Sequence, residues 1–250
     1  MPLPLRVAIA GVGAFGREHA RVVRRLATLA AVADPSPSAR ATFAGAPAYA
    51  SMGELLRRER VDVVHVCTPT GTHEEVGAEA LGAGCHLFAE KPFAETAAGA
   101  EWLVRLAEAR GVRVCAGHQL LYEPAARRAF DEMGRIGALV HAESFYSCAP
   151  GADLGELLLH PLYVLLHALE TAAPGEDAEL DALHVSPAGT VHALLRRGHA
   201  AGTLVVSAEG RPAESFLRLV GTRGTVTADF VRGTVQRLMG PGSSAVSKAA

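Results

Sequence analysis

The sequence predicts an α/β protein: an N-terminal doubly wound parallel sheet over residues 1–120, then an α+β domain over residues 121–250 with a mainly antiparallel open sheet. Three observations predict it. An apolar run, Val7 to Ala10, leads directly into Gly11, Gly13 and Gly16 and then into an amphipathic helical pattern from Phe15 to Leu29. Strand-like and helix-like segments alternate from there to residue 117. Beyond residue 139 the rhythm changes to short β-like runs separated by Gly, Pro or charged turns.

In order, a second apolar run, Leu29 to Ala33, reads as a strand ending in Asp34. A short helix around Ser38 to Phe43, a brief strand near Ala48 and a helix from Met52 to Arg60 follow. Residues 61–67, VDVVHVC, form a nearly continuous β-branched strand, as expected of a parallel strand covered on both faces. A helix over 72–83, a strand over 85–89, a helix over 95–110 and a strand over 112–117 complete the first domain. In the second, a helix runs from Glu123 to Glu132 and a strand from Leu139 to Tyr146. After the segment Gly155 to Glu170 come β-like runs at 179–186, 190–196, 201–208, 215–220, 224–230 and 234–239, with a hairpin turn at Gly221-Thr222-Arg223-Gly224.

The strand, glycine turn and helix of residues 6–16 are the arrangement that binds a dinucleotide. Gly11 allows the sharp turn, Gly13 lets a pyrophosphate approach the backbone, and Gly16 lets the helix pack close to the strand. Ala14 and Phe15 open the helix whose unpaired N–H groups and positive dipole would hold the phosphates. Asp34, at the tip of the second strand, is placed to hold the adenosine ribose hydroxyls and to repel a 2′-phosphate, which favours NAD over NADP. The same Asp34-Pro35-Ser36 also reads as a turn and helix cap.

Composition excludes other classes. The formal net charge of −2 comes with no basic run, which argues against nucleic acid and anionic membranes as partners. No apolar run approaches the roughly 18 residues of a membrane span, and the apolar start of the chain is explained by the glycine turn, so a cytoplasmic protein is expected. Cys67, Cys85, Cys115 and Cys148 show no metal-binding spacing; no metal is expected, and buried reduced thiols are.

In such a sheet the ligand lies at the carboxyl ends of the strands. There stand Thr68-Pro69-Thr70-Gly71-Thr72-His73 and Glu90-Lys91-Pro92. Thr72 reads as an N-cap, and the segment's place beside the nucleotide makes Thr68, Pro69, Thr70 and His73 candidate cofactor contacts. Pro92 stops the fifth strand, and the Lys91 ammonium at this rim is placed to donate to a substrate hydroxyl beside the nicotinamide.

The glycine turn, Asp34, Thr-Pro-Thr-x-x-His at 68–73 and above all Glu90-Lys91-Pro92 resemble the glucose-fructose oxidoreductase and inositol dehydrogenase family, often called Gfo/Idh/MocA. The likeness is good over the first 120 residues and looser to about residue 240. It implies an NAD(P)-dependent oxidoreductase with a Rossmann domain, acting on a small-molecule sugar, cyclitol or related polyol, and a homo-oligomer formed through the C-terminal sheet. Glu90 and Lys91 are then expected at the cofactor as well.

In GELLLHPLYVLLHALE, residues 155–170, a helix would place Glu156, His160, Tyr163 and His167 on one face. For Tyr163 and His167 a solvent-facing stripe is an equal reading. The resemblance implies that His160 takes the substrate hydroxyl proton and that the carboxylate one turn earlier orients it. Family members carry Asp there, this sequence Glu156, and Leu158 stands where glycine is common. Pro161 belongs in a first helical turn, so a helix starting later than residue 155 is a second expectation. The sequence also stops early against the family, as a domain shortened at its C-terminus or a fragment would. These departures support an alternative: a non-catalytic dinucleotide-binding sensor or accessory protein.

Overall fold

A computed structural model describes residues 4–148 and 154–240. They group into two compact units that divide between Gly117 and His118. Residues 241–250, which bear on the expected shortening, lie outside the described residues.

The first unit is a six-stranded parallel sheet, β1 (Arg6–Ala10), β2 (Thr28–Ala33), β3 (Ala48–Tyr49), β4 (Val63–Val66), β5 (His86–Ala89) and β6 (Val114–Ala116), in the order β3-β2-β1-β4-β5-β6. The helices are α1 (Ala14–Leu26), α2 (Pro37–Ala41), α3 (Met52–Arg58), α4 (His73–Gly82) and α5 (Ala97–Arg110). Strand order reverses between β1 and β4, which makes their carboxyl ends the place for a ligand. Ala8, Ala31, Val64 and Leu87 are buried between the helical layers, as nearly continuous apolar strands require.

The predicted elements are all present, most with shorter ends, though β2 starts one residue earlier than expected, at Thr28, and α1 at Ala14. Helix α1 stops at Leu26 because Thr28 and Leu29 are taken into the ladder against Arg6 and Val7. Thr72 occupies the N-cap position of α4 without capping it. A 3₁₀ turn, Thr70–Thr72, runs straight into the helix, and the Thr72 hydroxyl instead meets Thr68 Oγ1 and the Pro69 carbonyl, both at 2.8 Å. Among the cysteines only Cys85 is fully buried. Cys67 just past β4, Cys115 on the edge strand β6, and Cys148 are partly exposed.

The second unit is a seven-stranded sheet packed on one face by two helices, α6 (Pro124–Met133) and α7 (Leu154–Ala172). Its strands are β7 (Leu139–Ser147), β8 (Glu179–Val185), β9 (Thr190–Arg197), β10 (Ala200–Ser207), β11 (Glu214–Gly221), β12 (Gly224–Asp229) and β13 (Thr234–Met239). The order is β13-β12-β11-β7-β10-β9-β8, antiparallel throughout except for the parallel β7–β10 pair. Thr222 and Arg223 form the expected hairpin turn between β11 and β12.

Helix α7 presses Val164, Leu165, Ala168 and Leu169, all fully buried, onto this sheet. Gly202 on β10 permits the approach, since a Cβ there would meet Leu169 Cδ1 at 3.0 Å. The helix begins at Leu154 and carries Pro161 in its interior, contrary to the expectation of a later start. An interior proline costs about 3 kcal/mol, and each fully buried Leu or Val contributes roughly 1.5–3 kcal/mol, so the packed face outweighs the break.

Candidate functional site

The rim of the first sheet is built from strand ends. At β1 the turn begins with Gly11 at φ +82°, where a side chain would strike the Cys67 carbonyl at 2.8 Å. Gly16 faces the Gly11 carbonyl so closely that a Cβ would overlap it, and helix α1 is thereby held against the strand. Gly13 is different: a Cβ there would meet nothing within 4 Å, so the space in front of the turn is open. Gly13 is the N-cap of α1, with no side chain capping the helix and no acidic residue in its first turn. Ala14 and Phe15 are exposed beside it. This is a ready anion cradle, and it fits the pyrophosphate of a dinucleotide.

Asp34 lies just past β2. Its Oδ2 accepts the Val12 N–H at 2.9 Å and its Oδ1 the Ser36 N–H at 2.8 Å, so the carboxylate is fixed against the glycine turn. The capping reading is also realised, by Ser36, whose hydroxyl accepts the Ala39 N–H of α2. The Arg40 guanidinium is occupied by the Asp34 and Pro35 carbonyls, at 2.6 and 2.9 Å.

Past β4, Pro69 is exposed while Thr68 and Thr70 are half-buried. His73 is 1% exposed. Its Nε2 meets the Thr68 carbonyl at 2.8 Å and its Nδ1 the Pro92 carbonyl at 2.9 Å. Both ring nitrogens are therefore engaged by backbone, and His73 ties the β4 loop to the segment carrying Lys91.

Past β5, Glu90 and Lys91 are half-buried, and the Lys91–Pro92 peptide is cis. Glu90 Oε1 meets His19 Nε2 at 2.9 Å, and Oε2 accepts the Lys91 N–H at 3.3 Å. The hydrogen bond from His19 holds the Glu90 carboxyl below the usual range against burial, which acts the other way. Burial, reinforced by the Glu90 charge, pushes the neighbouring Cys67 thiol up to about 12 and keeps it from acting as a thiolate. His19 was not legible as a site residue from pattern alone. Lys91 carries an unused signal: it is one of two lysines among the 24 Lys and Arg residues of the chain, so an ammonium was kept where arginine is the rule.

In the second unit, α7 carries His160 and Tyr163 one turn apart, with His160 Nδ1 3.2 Å from the Tyr163 hydroxyl. Tyr163 is buried, accepts the Leu120 N–H at 3.0 Å and stacks on His118 with ring centres 4.3 Å apart. Tyr146 of β7 stacks over His160 at 6.5 Å. Tyr163 thus faces inward, whereas His167 is exposed at the helix surface against Phe130. The solvent-facing stripe holds for His167 alone. Glu156 lies on α7, but its side chain is outside the described residues. Among the described residues no group of three His, Cys, Asp or Glu side chains is placed to hold a metal, and no helix is long and apolar enough to cross a membrane.

Comparison with known proteins gives this rim its context. Residues 5–118 match the Gfo/Idh/MocA profile, described as an oxidoreductase family with an NAD-binding Rossmann fold. Inositol 2-dehydrogenase of Paracoccus denitrificans is 33% identical over 183 residues, 67% of this chain and 53% of that protein. UDP-N-acetylglucosamine 3-dehydrogenase of Acidithiobacillus ferrooxidans is 35% identical over 124 residues, 48% of this chain and 39% of that one. The chain thus spans about half the length of the curated relatives it matches. The solved structure of the Acidithiobacillus ferrooxidans enzyme superposes with a TM-score of 0.81 at 24% identity, over 95% of this chain and 81% of that one, and shows the shared fold. GenD2 from gentamicin A biosynthesis, solved with NAD, superposes with a TM-score of 0.77 at 26% identity, over 92% and 73% of the two chains. A matching profile over the whole parallel sheet identifies residues 5–118 as an NAD-binding Rossmann domain of the Gfo/Idh/MocA oxidoreductase family, and the chain shares the fold of these solved structures.

Proposed function

We propose that the chain is an NAD-dependent dehydrogenase that transfers hydride between nicotinamide and the hydroxyl-bearing carbon of a sugar, cyclitol or related polyol. The observation that carries this reading is the rim of the first sheet, where an uncapped glycine turn, the fixed Asp34 carboxylate and Lys91 gather at the carboxyl ends of β1, β2 and β5. Gly11, Gly13 and Gly16, with the N–H groups of Ala14 and Phe15, would hold the pyrophosphate. Asp34 would hold the adenosine ribose, in preference to a 2′-phosphate. Thr68, Pro69 and Thr70 would border the nicotinamide, with His73 and Glu90 supporting that border. A bound nicotinamide supplies the hydride acceptor.

In this reading Lys91 donates a hydrogen bond to the reacting oxygen and stabilises its developing negative charge. His160 takes the hydroxyl proton, a role suited to imidazole, and Glu156 orients it. The relatives named above act, by their names, on an inositol and on a sugar nucleotide, which supports the polyol class. Oligomerisation through the second sheet and a cytoplasmic location belong to the same reading.

The test is a nicotinamide-fluorescence titration with NADH and NADPH, followed by NAD reduction with myo-inositol and a panel of polyols and sugars. Tight NADH binding, weaker NADPH binding and turnover of one panel member are expected. Absence of NADH binding overturns the reading, and binding without any turnover favours the sensor instead.

A further inference from the structure

Three titratable side chains, of which only Glu90 has a part in the proposed function, form a chain beside Lys91. His19 projects from α1, one turn after Gly16. Its Nε2 meets Glu90 Oε1 at 2.9 Å, and its Nδ1 meets His65 Nδ1 of β4 at 3.1 Å. Phe88 of β5 closes the cluster, with ring centres 5.6 Å from His19 and 4.9 Å from His65. Glu90 spends its other oxygen on the Lys91 N–H. Gly117 at the end of β6 leaves room for this carboxylate, since a Cβ there would come within 3.3 Å of Oε1. The groups facing His19 are therefore His65 from β4, Glu90 from the end of β5, and the Cys67 thiol and Lys91 beyond Glu90.

Donor and acceptor roles follow from the carboxylate. It can only accept, so His19 Nε2 carries a proton. The 3.1 Å contact between the two Nδ1 atoms then has one ring donating to the other.

We propose that His19 is a positioning residue for Lys91: oriented by its contact with His65 Nδ1, it pins the Glu90 carboxylate and through it the backbone that presents the lysine. The placement has a functional consequence. His19 rides on the helix whose first turn is the proposed pyrophosphate cradle, so a movement of α1 on cofactor binding is carried through one side chain to Lys91. This rests on the proposed function only where the cofactor is invoked; the link from His19 to Lys91 stands without it.

The scarcity of lysine makes the test direct. Protein labelled with [13Cε]lysine gives two lysine signals, from Lys91 and Lys248, and Lys248→Arg assigns them. Long-range 1H–15N spectra of the imidazoles, assigned with His19→Gln and His65→Val, read the tautomers. Expected are a proton on Nε2 of His19, a Lys91 signal displaced in His19→Leu, and its return in His19→Gln, whose amide can still donate to Glu90. On addition of NADH the Lys91 signal shifts in wild type, and that response is lost in His19→Leu while NADH affinity stays within threefold.

A folded His19→Leu protein with the wild-type Lys91 signal and the wild-type NADH response overturns the proposal, as does a His19 that carries no proton on Nε2. If His19→Leu does not fold, Glu90→Gln and His65→Val are judged by the same two signals. If wild type binds no NADH, the proposed function falls, while the Lys91 signal without cofactor still decides the role of His19.

Discussion

The Tyr163 hydroxyl stands between two partners, accepting the Leu120 N–H at 3.0 Å and meeting His160 Nδ1 at 3.2 Å. Tyr163 is 7% exposed, so removing its hydroxyl leaves the Leu120 N–H facing a buried ring edge that cannot accept. Tyr163→Phe is expected to cost about 1–3 kcal/mol of stability, read as a melting temperature lower by roughly 2–4 °C per kcal/mol for a chain of this size. Turnover should fall by about tenfold or more, because His160 loses one of the contacts that orient its ring, while NADH affinity stays unchanged. Unaltered turnover in a folded Tyr163→Phe protein would remove His160 orientation from the role of this tyrosine.

Lys91→Ala is expected to abolish polyol turnover, with NADH affinity within a few-fold of wild type. The loss should exceed roughly a hundredfold, the scale of removing one donor from a developing oxyanion. Lys91→Arg should recover little, because a planar guanidinium does not replace a point ammonium. Both are read by steady-state NAD reduction beside a fluorescence titration. Turnover surviving in Lys91→Ala would transfer the donor role to another side chain.

His65 gives the fold an acid sensitivity. Burial, helped by the neighbouring His19 and opposed by Glu90, lowers its pKa from 6.5 to about 4. The unfolded chain therefore takes up this proton near 6.5, before the folded one does, and stability is lost as pH falls from about 6.5 towards 4. The shift corresponds to at most roughly 3 kcal/mol across that window. Urea unfolding at a series of pH values should show the slope in wild type and a flatter one in His65→Val. Equal slopes would mean that His65 is protonated in the folded protein as readily as in the unfolded one.

The first sheet was legible because its signals are local. Apolar runs of four or five residues, a glycine turn and capping serines each act within a few positions, and β1, β4 and β5 lie where the sequence places them. Helix α7 was legible in its extent but not in its details. The cost of Pro161 is local, whereas the burial of Val164, Leu165 and Leu169 depends on Gly202, 33 or more residues later in the chain. The same reasoning applies to the rim. Asp34 and Lys91 announce themselves by standing at strand ends. His19 could not, because its partners His65 and Glu90 lie 46 and 71 residues away. His73 looked like a ligand contact from its place in Thr-Pro-Thr-x-x-His, yet its two nitrogens are taken by backbone carbonyls.

On the second sheet, the face turned away from α6 and α7 carries Phe145 and Phe216 as direct cross-strand partners, stacked with ring centres 5.3 Å apart and an interplanar angle of 9°. Val205 and His192 continue the row on β10 and β9, and Leu194, 40% exposed, lies beside it. A row of this kind suits a second copy of the sheet. Light scattering on a sizing column is expected to give wild type a mass above that of one chain, and Phe216→Glu a smaller one, because the substitution leaves the helix-covered face untouched. A monomeric wild type at micromolar concentration would end this assignment.

The three glycines of the first turn separate folding from binding. At Gly16 a methyl group would overlap the Gly11 carbonyl, a backbone atom that cannot step aside, so Gly16→Ala should push α1 off the strand and lower the melting temperature markedly. At Gly13 a methyl group would meet nothing within 4 Å, and φ there is −65°, so Gly13→Ala should leave stability within about 0.5 kcal/mol of wild type. Yet that open space is where the pyrophosphate would lie. Gly13→Ala should therefore weaken NADH binding by about tenfold or more, equivalent to roughly 1.4 kcal/mol. Thermal unfolding and the NADH titration, run on the same two proteins, read the two effects separately. If Gly13→Ala binds NADH as wild type does, the phosphates are not held at this turn, and the open space before it belongs to something else.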